Sequence, residues 1–287
     1  MKTIIVFVDH SRQSEHAARY AVNLAKKINA NIVLSDAIRA RSAELALHGA
    51  GPYDDLEDSE PAESSRLLNF CTLLENELEQ KTLPGKFSPA IYCQSAGMPL
   101  GDAIDHFEET LDVAFIVLGI NLYYGTSSII AGGACGKLLA HSKCPVILVP
   151  EDAPIRYPEK YAFVADINNQ NVSTLMKVAE IAAYSAAELM LVNINNGRPL
   201  DEDQEGALRL IIRETINQVD YGRIYYRHLP NEVLKSDVEW LMQDNKFEML
   251  AVVYHKHNII SPLLEFNYDS KMLGNINFPL LIYPGID

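Results

Sequence analysis

The strongest constraint on this chain is that it is written twice. Residues 3–38, TIIVFVDHSRQSEHAARYAVNLAKKINANIVLSDAI, align without a gap on residues 160–195, KYAFVADINNQNVSTLMKVAEIAAYSAAELMLVNIN. At a constant offset of 157, Asp9 meets Asp166, Gln13 meets Gln170, Ala25 meets Ala182 and Ala30 meets Ala187. The copies also end alike, CPVILVP (Cys144–Pro150) against FPLLIYP (Phe278–Pro284), now at an offset of 134. The difference between the offsets makes the second copy shorter by 23 residues. Self-similarity of this kind marks duplicated structural units. It divides the chain into a first domain at 1–151, a linker at 152–159 and a second domain at 160–287. An acidic insertion at 49–65 accounts for the extra length of the first.

Each copy alternates short apolar runs with stretches whose apolar residues recur every three or four positions. The first copy predicts strands at Thr3–Val8, Asn31–Ile38, Ala90–Gln94, Val113–Gly119 and Val146–Pro150. Helices are predicted between them at Ser14–Ile28, Ser64–Gln80, Pro99–Leu111 and Gly133–His141. The strands do not alternate polar with apolar, so both faces of the sheet are covered. That is the mark of a parallel sheet in an α/β fold. Ligands of such sheets sit outside the carboxyl ends of the strands, where the strand order reverses. The loops that matter are therefore 9–13, 36–41, 96–99 and 119–133.

Charge and composition exclude several functions. The formal net charge of −14 over 287 residues argues against a nucleic-acid partner, which demands a basic face. Six carboxylates and no cation fall within Gly49–Ser65, GAGPYDDLEDSEPAESS, which reads as a solvated loop or a docking tail for a basic partner. The apolar runs are of strand length, too short for a membrane-spanning helix, and MKTIIVFVDHS reads as a first strand rather than a signal peptide. Cys71, Cys93, Cys135 and Cys144 show neither CxxC pairing nor zinc spacing. They read as reduced thiols of a cytoplasmic protein.

Three stretches carry a resemblance: VFVDHS after the first strand, SAGMPLGDAIDHFEETLDVAFIVLGI, and GACGKLLAHSKCPVILVP. In these the first copy resembles the universal stress protein family, and the whole chain resembles its tandem two-domain members. The resemblance implies two doubly wound, Rossmann-like domains of the adenine nucleotide alpha hydrolase-like type. It further implies that they pack as an intramolecular pseudo-dimer through their last strands, VILVP against LLIYP. Nucleotide-binding members carry G-x2-G-x9-G-[ST] after the fourth strand, and the acid ending the first strand receives the adenine or ribose side of ATP. Counting back from Cys144-Pro145, Gly119 and Gly132 keep two of the four positions, while Leu122 and Gly133 replace a glycine and a hydroxyl. The implied nucleotide site comprises Asp9, Ala37, Gly97, Met98, Leu118, Gly119, Gly132, Gly133 and Ala134. Thr126, Ser127 and Ser128 are alternative phosphate donors. Leucine cannot adopt the backbone geometry of glycine without strain, and Gly133 offers an N–H but no hydroxyl. The expected site is thus a weakened one for ATP or another adenine nucleotide, with no cofactor required.

The second copy is further from binding. The same count places Phe266-Asn267 at its G-[ST] position, so an aromatic stands where a phosphate would. His255-Lys256-His257 lacks a carboxylate or cysteine at ligand spacing and reads as an ordinary loop, so no metal site is expected. No P-loop, nucleophile elbow or HExxH is present, and Asp102, Asp105, His106 and Glu109 read as the exposed face of a helix. Cys135, near a helix N-terminus, is the one cysteine placed to favour a thiolate. No catalytic residue is expected. The function implied is stress-responsive binding and signalling by the pseudo-dimer, with a homodimer as a further assembly. Two rivals stay open: a scaffold that uses the crevice for another small molecule or protein, and a weak ATP hydrolase.

Overall fold

Alternating apolar and amphipathic runs set the element order. The first half comprises β1 (Thr3–Val8), α1 (Arg12–Ile28), β2 (Asn31–Asp36), α2 (Glu60–Lys81), β3 (Ile91–Cys93), α3 (Leu100–Thr110), β4 (Val113–Ile120) and β5 (Val146–Pro150). The second comprises β6 (Lys160–Ala165), α4 (Val172–Ala183), β7 (Glu188–Asn193), α5 (Glu202–Asn217), β8 (Ile224–His228), β9 (Met249–Tyr254) and β10 (Leu280–Pro284). The structure is a computed structural model. It describes residues 1–36, 60–81, 84–95, 98, 100–120, 139, 141–165, 172–193, 202–228, 247–254 and 277–285. The expected helix at 133–141 falls largely outside them, as does the part of the acidic insertion before residue 60.

All ten strands join one sheet, in the order β3-β2-β1-β4-β5-β10-β9-β6-β7-β8. Within each half the pairing is parallel and the order is that of a doubly wound fold. The halves meet at β5 and β10, which pair antiparallel through Leu280 with Leu148, Leu281 with Ile147, and Ile282 with Val146. The expected contact of VILVP with LLIYP is thus present. It covers two strand edges that would otherwise expose unpaired backbone groups.

Strand residues alternate between two apolar layers. Ile4, Val6 and Val8 face one layer, with α1, α2, α4 and Ile212 of α5, while Ile5 and Phe7 face the other, with α3 and Leu139. Both layers run unbroken through the seam, because Ile147, Val149, Leu281 and Tyr283 belong to the first and Val146, Leu148, Leu280 and Ile282 to the second. The two sequence copies therefore share a core across the seam.

Helix ends follow their local chemistry. α1 begins at Arg12, two residues before the expected start, because Ser11 is its N-cap and accepts from the Ser14 N–H. It ends at Asn29, which takes a left-handed conformation (φ 55°) and donates its N–H to the Ala25 carbonyl. α2 corrects the reading of the acidic stretch. Its first residues, Glu60-Pro61-Ala62-Glu63, are helical rather than loop. Proline is tolerated in a first turn, where its missing N–H would be unpaired anyway, and carboxylates there complement the helix dipole. Leu67, Phe70, Cys71, Leu74 and Leu78 form its buried stripe.

Two further findings depart from the sequence reading. Cys71 of α2 and Cys93 of β3 are joined by a disulfide, with Cα atoms 6.4 Å apart, so these two are not free thiols. The segment between the halves is also more than a tether. His16 Nε2 lies 2.7 Å from the Ala153 carbonyl oxygen, and the Tyr157 hydroxyl donates to the Ile181 carbonyl at 2.7 Å. Glu248 holds Arg156 in an ion pair and accepts from the Glu159 N–H at 2.7 Å.

Beside Tyr157 lie three buried tyrosines, Tyr20, Tyr161 and Tyr283, whose hydroxyls lack a well-formed hydrogen bond. Tyr157 has committed its proton to Ile181, so toward Tyr161 it can act only as an acceptor. Burial pushes the ionisation of Tyr20, Tyr157, Tyr161 and Tyr283 upward, and their neighbours' charges add to it for Tyr20, Tyr161 and Tyr283.

Two outcomes follow from this core. Leu281→Ala should lower the unfolding free energy by about 2–5 kcal/mol in urea titration, since it empties a fully buried position beside the seam. Alkali should destabilise the protein as well. Unfolded tyrosines deprotonate near 10.0 whereas the folded ones stay protonated, so the unfolded state binds fewer protons as pH rises. Stability from this source is intact below about pH 9 and falls above it, and urea midpoints at about pH 8 and about pH 11 should differ accordingly.

Candidate functional site

Three strands of the first half end at one level. Val8 of β1 stands opposite Asp36 of β2, and Phe7 stands opposite Leu118 of β4. The residues that follow, Asp9 and Gly119, therefore flank the carboxyl end of β1 together with Asp36. This is where the chain order reverses, β1 being followed by β2 on one side and bordered by β4 on the other.

The turn after β1 is built from short polar side chains. Asp9 Oδ1 accepts from the Ser11 N–H at 3.0 Å, and the Asp9 N–H donates to Ser14 Oγ at 3.3 Å. Such Asx bonding tightens a strand-to-helix turn and aims the helix N-terminus at the crevice. His10, between them, is in the left-handed region at φ 60°. Its Nε2 is buried and has no hydrogen-bond partner among the described residues. On the far side Ser95 Oγ donates to Asp36 Oδ2 at 3.1 Å, which ties the chain after β3 to the end of β2. Gln13 Nε2 donates to Glu151 Oε2 at 2.8 Å, joining the turn to the segment after β5.

Gly119 has a structural reason of its own. A Cβ there would lie 2.3 Å from the Gln13 carbonyl oxygen and 2.6 Å from the Ser14 nitrogen. The first turn of α1 rests directly on β4, and no side chain fits between them. Leu118 is buried in the second layer with Ile5 and Phe7, between β1 and β5. Met98 packs partly against the same layer. The structure thus brings Asp9, Leu118 and Gly119 together. Ala37, Gly97, Gly132, Gly133, Ala134, Thr126, Ser127 and Ser128 lie outside the described residues, as do Cys135, His255–His257 and Phe266-Asn267.

Sequence reasoning did not single out Asp36, His10 or Ser95. Asp36 had a visible signal, since LSD ends the second strand in a carboxylate as FVD ends the first. His10 and Ser95 had none, because nothing local announces an unpartnered ring nitrogen or a contact across strand ends. Asp102, His106 and Glu109 are exposed and Asp105 partly so, on the polar face of α3 as expected. The Cys144 thiol is pushed up to about 12, chiefly by burial and then by the Glu108 carboxylate, which keeps it inert at neutral pH. Among the described residues no group of histidines, cysteines and carboxylates could hold a metal ion, and no helix is long and apolar enough to cross a membrane.

Comparisons with known proteins agree with this geometry. The sequence profile of the Universal stress protein family matches residues 1–150. No curated protein matches the chain. Among solved structures, a universal stress protein from Archaeoglobus fulgidus DSM 4304 is similar over 98% of each chain, with a TM-score of 0.64 at 13% identity. A functionally unknown protein from Pseudomonas aeruginosa PAO1 is similar over 98% of this chain and 92% of its own, with a TM-score of 0.57 at 13% identity. At such identities the likeness is one of fold, and it extends through both halves.

Substituting Gly119 tests the packing under the crevice. Gly119→Ala should destabilise the protein by about 1–3 kcal/mol in urea unfolding, because the clash is with backbone that cannot move aside alone. Gly101→Ala, where nothing lies within 4 Å of the added carbon, should not.

Proposed function

The chain belongs to the universal stress protein family, and we propose that it serves there as a ligand-responsive binding protein, holding an adenine nucleotide weakly in the crevice of its first half. What supports the reading is the meeting of Asp9, Asp36 and Gly119 at the carboxyl ends of β1, β2 and β4. Carboxylates accept hydrogen bonds from ribose hydroxyls or an adenine amino group, whereas they repel phosphate. A nucleotide would therefore lie with its nucleoside toward Asp9 and its phosphates over the 119–133 loop, where Gly132 and Gly133 offer backbone N–H groups. The unpartnered His10 Nε2 adds one polar atom to the same end of β1.

The affinity is low for a stated reason. Leu122 and Gly133 remove one close backbone approach and one hydroxyl, each costing about 0.5–1.5 kcal/mol, or about 1.5–3 kcal/mol against a charged acceptor. We divide the chain into domains at 1–151 and 160–287, with the nucleotide site in the first and the second in a supporting or regulatory role. The protein works in the cytoplasm and signals by occupancy without turnover.

Thermal unfolding with and without ATP tests this. Millimolar ATP should raise the melting temperature of the wild type, and Asp9→Ala should abolish the shift. The double variant Leu122→Gly/Gly133→Ser should tighten binding by about ten- to a hundredfold. Absence of a shift in both the wild type and the double variant would overturn the proposal.

A further inference from the structure

The disulfide between Cys71 and Cys93 stands apart from the nucleotide chemistry and ties a short edge strand to a well-packed helix. β3 is three residues long and forms one edge of the ten-stranded sheet, pairing among the described strands with β2 alone. Cys93 is the last residue of that pairing, opposite Leu34, and the Gln94 N–H extends it by donating to the Leu34 carbonyl at 2.9 Å. One residue further, Ser95 donates to Asp36 at the rim of the crevice. Cys71 sits in the buried stripe of α2, which packs against β2 and β3. The bond thus anchors a short edge strand to a helix and, through Ser95, reaches the crevice wall.

Access to the two sulfurs differs. Cys71 is 4% exposed, whereas Cys93, on the strand that ends the sheet, is half-buried. An incoming thiol can therefore reach Cys93 but not Cys71, the asymmetry that makes a cysteine pair exchangeable. We propose that Cys71 and Cys93 form a reversible dithiol–disulfide site, closed by oxidation and opened by a small thiol attacking Cys93. On opening, a glutathione thiolate bonds to Cys93 Sγ, and Cys71 leaves as a thiolate and takes up a proton. A second glutathione then displaces the first as glutathione disulfide, leaving Cys93 as a thiol. On closing, glutathione disulfide accepts the two electrons, and two glutathione thiols are released as the Cys71–Cys93 bond forms. Only the choice of cytoplasmic glutathione as the exchange partner rests on the preceding reading. The thiol count is independent of nucleotide binding, so either proposal can fail alone.

The test uses the full chain equilibrated in glutathione buffers that span the oxidising secretory and reducing cytoplasmic poises. Alkylation followed by peptide mass spectrometry reports Cys71 and Cys93, and hydrogen exchange reports Ile91–Gln94. The two cysteines should pass together from bonded to alkylated within that range. Exchange over Ile91–Gln94 should quicken about tenfold on opening while β1 is unchanged. Cys93→Ser should exchange at the opened rate in every buffer. If it fails to fold, Cys71→Ala, which leaves the half-buried cysteine in place, serves instead. A bond that survives the most reducing buffer, cysteines that remain alkylatable in the most oxidising one, or exchange over Ile91–Gln94 that ignores the bond would each overturn the proposal.

Discussion

The antiparallel pairing of β5 with β10 is the contact on which the rest of the molecule depends. It is short, with three residue pairs, yet it determines that the chain has one sheet rather than two. Either half alone would end in an apolar edge, with VILVP or LLIYP presenting unpaired N–H and carbonyl groups to water. Joined, the strands satisfy those groups and extend both apolar layers from one half into the other. The antiparallel sense follows from duplication. Two identical parallel sheets related by a twofold axis can meet edge to edge only with their last strands reversed. The segment 151–159 then has to cross the seam within a fixed span, which explains why it is pinned through Ala153, Tyr157 and Glu159 to both halves.

The same geometry explains why the crevice is assembled from residues that also hold the scaffold. Asp9 receives the Ser11 N–H and so shapes the turn that opens α1, while it also stands at the carboxyl end of β1. Gly119 is required by the backbone of Gln13 and Ser14 whether or not a phosphate is ever bound. A glycine matching a binding pattern therefore carries two meanings at once, and a pattern match alone does not separate them. Residues such as Leu122 and Gly133 discriminate better, because they depart from the pattern where the departure has a chemical consequence.

Much of the fold was legible because the duplication doubled every signal. β1 and β5 fall on the expected residues, and the pairing of the last strands is the one that the family resemblance implied. What escaped is non-local. Cys71 and Cys93 are 22 residues apart with no motif between them, so their union depends on α2 lying against β3, a fact of tertiary packing. The helical start of α2 was hidden by composition, since Glu60-Pro61-Ala62-Glu63 reads as loop until the first-turn preferences of proline and carboxylates are applied. Of the site, the positions at strand ends could be read, because strand ends are fixed by the apolar runs. The contact of Ser95 with Asp36 and the orphaned nitrogen of His10 could not, because each depends on a neighbour from another part of the chain.

The strands of the two halves are bound by one common constraint. The strands of each half build a shared core, so a change in Phe163 or Leu281 would be felt across the seam through tight packing. The first half is also the one stapled at its outer edge, through Cys71 and Cys93. β8, the opposite edge, is two residues longer than β3 and pairs with β7 along five positions from Ile224 to His228. Longer pairing gives β8 more backbone hydrogen bonds of its own, whereas the three-residue β3 depends on a tie to α2. The covalent constraint thus falls on the shorter of the two edge strands, the one that leads, through Ser95, to the crevice.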